Sequence, residues 1–71
     1  MKKYLVIFEK TSTGYSAYSP DIPGCIATGR TKSETEKFMY DGIQFHLEGL
    51  KEEGLKLPKR SSEAELYVFA D

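Results

Sequence analysis

The chain has 71 residues, with 10 basic and 11 acidic side chains and a formal net charge of −1. This length predicts one domain over residues 1–71, and the 39% of hydrophobic residues exclude a disordered tail. A single cysteine and a single histidine exclude a disulfide framework and a zinc knuckle, two usual stabilising devices of such small domains. We therefore expect oligomerisation or a protein partner to supply further stability.

Several classes of protein are also disfavoured. No apolar run approaches the roughly 18 residues of a membrane helix, and the apolar stretch after Met1 is too short for a signal peptide. A free cysteine without a signal favours the cytoplasm. The near-neutral charge, with Arg30 and Arg60 as the only arginines, disfavours direct binding of nucleic acid by the fold as a whole.

Three strands are predicted in the first part of the chain. Residues 3–9 are apolar on both faces, which is typical of a central strand buried on both sides. A turn ending at Gly14 leads into a strand over 15–19. The run Pro-Asp-Ile-Pro-Gly over 20–24 interrupts the sheet, because its two prolines remove backbone donors. A third strand follows over 25–29.

A helix and a fourth strand are predicted next. Thr31 and Glu34 match a capping box, and Gly54 is a typical residue just beyond a helix end, so the helix should run from Thr31 to about Glu53. One apolar stripe falls on a single helix face: Met39, Ile43, Leu47 and Leu50. After a connector over 55–62, the alternating residues 65–70 predict a strand.

The order β-β-β-α-β predicts an α+β fold. A right-handed crossover would place the fourth strand beside the first, in a four-stranded mixed sheet of order 3-2-1-4 covered by one helix. Because one helix covers one sheet face, surplus apolar surface should remain, and we expect a homodimer or homotetramer. The interface candidates are Phe38, Phe45, Tyr67 and Phe69.

Two catalytic arrangements can be drawn from the residues. Cys25 and His46 could form a nucleophilic pair, but an isolated cysteine in a short strand favours a core role. Carboxylates could bind Mg²⁺ in a nuclease, although each has an adequate turn or surface role: Glu9, Asp21, Asp41 and Glu48. We predict no catalytic residue, no metal site and no cofactor.

The run GYSAYSPDIPGC over residues 14–25 is the most specific pattern in the chain. It resembles the signature of the HicB-like antitoxin family, and the similarity continues over 4–69. The resemblance implies a truncated ribonuclease H-like sheet and an antitoxin that neutralises a HicA-type, mRNA-cleaving toxin by covering its active surface. Because the chain ends at Asp71, immediately after the predicted fourth strand, we expect no DNA-binding module and no operator binding.

A basic, RNA-binding toxin surface would favour acidic contacts. On this resemblance the candidate toxin contacts are Glu9, Tyr15, Tyr18 and Asp21. Two alternatives stay open at this point: a small metal-dependent nuclease of truncated ribonuclease H type, and an oligomerisation module without a toxin.

Overall fold

The computed structural model describes residues 2–70 and has α+β architecture. Its elements are β1 (Ile7–Lys10), β2 (Tyr15–Tyr18), β3 (Ile26–Gly29) and α1 (Lys32–Glu52). The helix is amphipathic, and no helix in the described part of the chain is long and apolar enough to cross a membrane.

The three strands form an antiparallel sheet in the order β1-β2-β3. Phe8, Ala17 and Ala27 lie side by side in register and face the helix. Gly14, in the turn between β1 and β2, lies where a Cβ would overlap the carbonyl oxygen of Gly29. The turn therefore requires glycine for close approach to β3.

The ends of α1 confirm the predicted signals. Thr31 is the N-cap, and its hydroxyl accepts a hydrogen bond from the Glu34 N–H at 3.0 Å. At the other end Gly54 adopts φ 71°, and the Leu55 N–H donates to the Leu50 carbonyl at 2.9 Å. This is the Schellman geometry that glycine permits, so both helix ends lie within one residue of the prediction.

The core lies between the sheet and the N-terminal half of α1, and its five most buried residues are Ala17, Ser19, Ile22, Thr35 and Met39. Both hydroxyls in this core have partners, as burial requires. The Ser19 hydroxyl donates to the Leu5 carbonyl at 2.7 Å, and the Thr35 hydroxyl donates to the Thr31 carbonyl at 2.8 Å.

The predicted four-stranded sheet of order 3-2-1-4 is wrong. Residues 65–70 form no strand, and Leu66 and Val68 are 98% and 97% exposed. Consequently β1 is an edge strand rather than a central one, and it begins at Ile7 instead of residue 3. The physical reason is the course of the connector, which is hydrogen-bonded elsewhere and leaves residues 65–70 without a neighbouring backbone.

Candidate functional site

The side of the sheet that faces away from α1 is largely uncovered. Because side chains alternate along a strand, the neighbours of the buried Ala17 point to this side, which we call the outer face: Ile7, Glu9, Ser16, Tyr18, Ile26 and Thr28. Ile7, Tyr18 and Ile26 are in register, and Ile26 is 76% exposed. The outer face therefore presents an apolar row across three strands.

A second open surface lies between β1 and α1. The helix packs mainly on β3 and β2, so the helix side of β1 is left open and borders a cavity of about 510 Å³. We call this cavity the edge groove, and its apolar lining consists of Tyr4, Val6, Phe8, Met39, Tyr40, Ile43 and Leu47. On the sheet side it is lined by Phe8 of β1 and by Tyr4 and Val6, which precede that strand. Within residues 2–70, β1 pairs with a strand on one side only.

Asp21 fastens the connector to the loop between β2 and β3. Its carboxylate accepts hydrogen bonds from the backbone N–H and the hydroxyl of both Ser61 and Ser62, over 3.0–3.1 Å. The backbone bond from Ser62 is the largest cause that holds the pKa of Asp21 below its usual value. Tyr4 supplies a second attachment, because its hydroxyl donates to the Pro58 carbonyl at 2.6 Å.

The four predicted toxin contacts do not share one surface. Glu9 and Tyr18 lie on the outer face. Tyr15 lies on the opposite side of the sheet, in register with Gly29, where it borders a cleft beside Arg30. Asp21 lies beyond the far end of β2, engaged with the connector. Contact of these residues with a toxin stays a prediction.

The predicted interface residues fall into two groups. Phe38 and Phe45 are 47% and 79% exposed on α1. Tyr67 and Phe69 lie in the segment after the connector, with their rings stacked at a centroid distance of 6.4 Å. All four are accessible in the single chain, and their role in an interface stays a prediction.

Two of the residues considered for catalysis have defined surroundings. Cys25 is half-buried, and this burial raises the pKa of its thiol, which disfavours the thiolate. Asp41 pairs with Lys37 at 3.4 Å on the exposed side of the helix. Within residues 2–70 no three His, Cys, Asp or Glu side chains are grouped so that they could hold a metal ion.

Two features of the site were missed from the sequence. The exposed Ile26, which pairs with Tyr18 in register, is not among the contacts predicted from the sequence. Alternation along β3 could have found it. The pairing of Asp21 with Ser61 and Ser62, which spans about 40 residues of sequence, carries no comparable local signal.

Comparisons with known proteins identify relatives over almost the whole chain. An uncharacterised 14.9 kDa protein of Haemophilus phage HP1, from the rep-hol intergenic region, is 40% identical over 92% of this chain and 48% of its own length. The UPF0150 protein Ta0767 of Thermoplasma acidophilum is 36% identical over 96% of this chain and 99% of its own length. The chain thus spans about half of the phage protein.

A solved structure is also similar. It is described as the HicA3 and HicB3 toxin-antitoxin complex, and the match has a TM-score of 0.68 and 33% identity over 84% of this chain and 70% of that one. The sequence model described as the HicB_like antitoxin of bacterial toxin-antitoxin system matches residues 4–69. The chain therefore belongs to the HicB-like antitoxin family.

Proposed function

We propose that the chain is an antitoxin that binds a HicA-type toxin and neutralises it by covering the surface with which the toxin cleaves mRNA. The observation that carries the proposal is the likeness, at 33% identity and a TM-score of 0.68, to a chain from a toxin-antitoxin complex. In this proposal the chain acts by binding rather than by catalysis. Because the target of the toxin is mRNA, the proposal places the pair in the cytoplasm.

The outer face is the toxin-binding surface in this proposal. Tyr18 and Ile26 are 38% and 76% exposed and adjacent in register, so they offer the aromatic and aliphatic anchors typical of protein interfaces. Glu9 adds a carboxylate at the end of the same face. A nuclease that holds RNA needs basic side chains, and an acidic group at the rim of the interface complements such a surface.

Asp21 has a positioning role in this proposal. Its carboxylate already accepts four hydrogen bonds from two serines of the connector. A toxin side chain would have to displace at least one of them. Asp21 instead holds the loop that follows Tyr18, which keeps the end of β2 in place beside β3.

The test is an RNA-cleavage assay with the toxin encoded next to this chain, titrated with the wild-type chain and with Tyr18→Ala or Glu9→Lys. We expect Tyr18→Ala to weaken inhibition by about 30-fold, the effect of losing a typical interface anchor. Glu9→Lys should weaken it by about tenfold and mostly through slower association. Glu52→Lys, the same charge change at an exposed position near the end of α1, is the control.

Circular dichroism should show that all three variants fold. The proposed surface is refuted if the combined Tyr18→Ala and Glu9→Lys chain inhibits as well as the Glu52→Lys control. The proposed partner is refuted if the wild-type chain neither co-purifies with the toxin nor slows its cleavage of RNA.

A further inference from the structure

We propose that residues 65–70 of one copy of this chain pack along the open edge of β1 in a second copy and fill its edge groove, in a reciprocal dimer. The inference concerns surfaces other than the outer face and does not depend on the toxin. It follows from two unpartnered features that the same chain carries.

The first feature is the receptor surface. The backbone of β1 pairs with β2 on one side only, so its other side offers unpaired N–H and C=O groups, as edge strands do. Directly beside that edge lies the edge groove, lined by Val6 and Phe8 from the sheet side and by Ile43 and Leu47 from the helix. An added strand would have its inward side chains under α1.

The second feature is the segment that would fill it. Four consecutive apolar residues, Leu66, Tyr67, Val68 and Phe69, are each at least 76% exposed. Tyr67 and Phe69 stack on one side, which is the arrangement of side chains two apart along an extended backbone. The segment therefore has the shape and the composition of a β-strand and lacks only a partner.

The chain does not fill its own groove in this structure. The connector is hydrogen-bonded to Tyr4 through Pro58 and then to Asp21 through Ser62. The second attachment lies on the β2–β3 loop, away from the open side of β1. Residues 63–70 continue outward from there, and none of them lines the groove. A second copy is therefore the occupant that uses both features.

The surface available is of the size that a stable dimer needs. At 76% and 80% exposure, the two aromatic side chains present about 300 Å² in each chain, given that such residues bury 150–250 Å². The aromatic side chains of two reciprocal segments would bury about 600 Å², and the groove surfaces that they cover would bury a similar area. The total of about 1,200 Å² is the lower end of the range for specific interfaces. Leu66 and Val68 would add to this area.

The first test is the mass of the full chain by analytical ultracentrifugation, with Phe69→Asp compared with Ile26→Asp. Both changes put a carboxylate at an exposed apolar position, 80% and 76% exposed, but only Phe69 lies on the side of the segment that would enter the groove. We expect a wild-type dimer, a dissociation constant raised at least 30-fold by Phe69→Asp, and no such change for Ile26→Asp. A wild-type chain that is monomeric at about 100 micromolar, or a dimer that Ile26→Asp weakens as much as Phe69→Asp does, would overturn the proposal.

A cross-linking test identifies the contact. In a Cys25→Ser background, one chain carries Tyr40→Cys in the groove and another carries Phe69→Cys. On mixing and oxidation, these two should form a covalent dimer, whereas a Phe45→Cys chain, changed outside the groove, should not join Phe69→Cys efficiently. Equal yields for the two pairs would contradict the proposal. So would a chain carrying both Tyr40→Cys and Phe69→Cys that closes on itself as a monomer.

Discussion

Ile22 lies between two prolines in the β2–β3 loop, yet it is completely buried, and we expect Ile22→Ala to destabilise the fold severely. The change removes three carbon atoms, worth about 0.8 kcal/mol each when buried. Incomplete collapse of the cavity adds to this, and comparable core substitutions cost about 2–5 kcal/mol. We therefore expect a loss of about 3–4 kcal/mol. A chain of 71 residues has a free energy of unfolding of about 4–10 kcal/mol, so this loss is a large share of the total.

The assay is urea unfolding followed by circular dichroism, with Ile26→Ala as the matched control. Ile26 loses the same atoms, but at 76% exposure its change should lie within about 0.5 kcal/mol of wild type. In a thermal scan, Ile22→Ala should lower the midpoint by about 15–25 °C. The reasoning fails if the two variants unfold at the same urea concentration, because burial in the loop would then contribute nothing.

Two further changes test the close approach at the turn and the attachment of the connector. Gly14→Ala should destabilise the fold by about 1–3 kcal/mol, since its Cβ would overlap the Gly29 carbonyl. At Gly42 the new Cβ would meet nothing within 4 Å beyond the helix's own backbone, so Gly42→Ala should stabilise the helix by about 0.5–1 kcal/mol. Similar urea midpoints for these variants would contradict the packing argument. The hydrogen bonds from Ser62 hold the pKa of Asp21 below that of an ordinary aspartate. The attachment is therefore present above the ordinary value and is lost as the pH falls through the lower pKa of the folded state. The Ser62 amide resonance should move in that acid range in wild type and stay still in Asp21→Asn; a shift in both would show that another group titrates.

The elements that could be predicted from the sequence are those whose determinants are close together along the chain. Thr31 and Glu34 set the start of α1 within three residues of each other, and Gly54 sets its end through a positive φ. The antiparallel order of β1, β2 and β3 follows from the two short connections between consecutive strands. In each case the responsible hydrogen bonds join neighbours in sequence, so a local pattern is sufficient.

The prediction of a fourth strand is wrong for the opposite reason. The alternating side chains of residues 65–70 are suited to a β-strand, but a strand also needs a neighbouring backbone to pair with. Whether it meets one depends on the course of the connector. That course is decided by Asp21 and two serines about 40 residues away. A carboxylate in a Pro-rich turn gives no local indication of such distant partners.

The attachment of the connector therefore decides which surfaces of the molecule stay open. If residues 65–70 turned back onto their own β1, the edge groove would be closed within one chain and no apolar segment would be left over. Because the connector is attached to Asp21 instead, the groove and the segment both stay free, while the outer face lies on the other side of the sheet. A second copy in the groove and a toxin on the outer face would therefore approach the sheet from opposite sides. One small domain could hold both partners without competition between them.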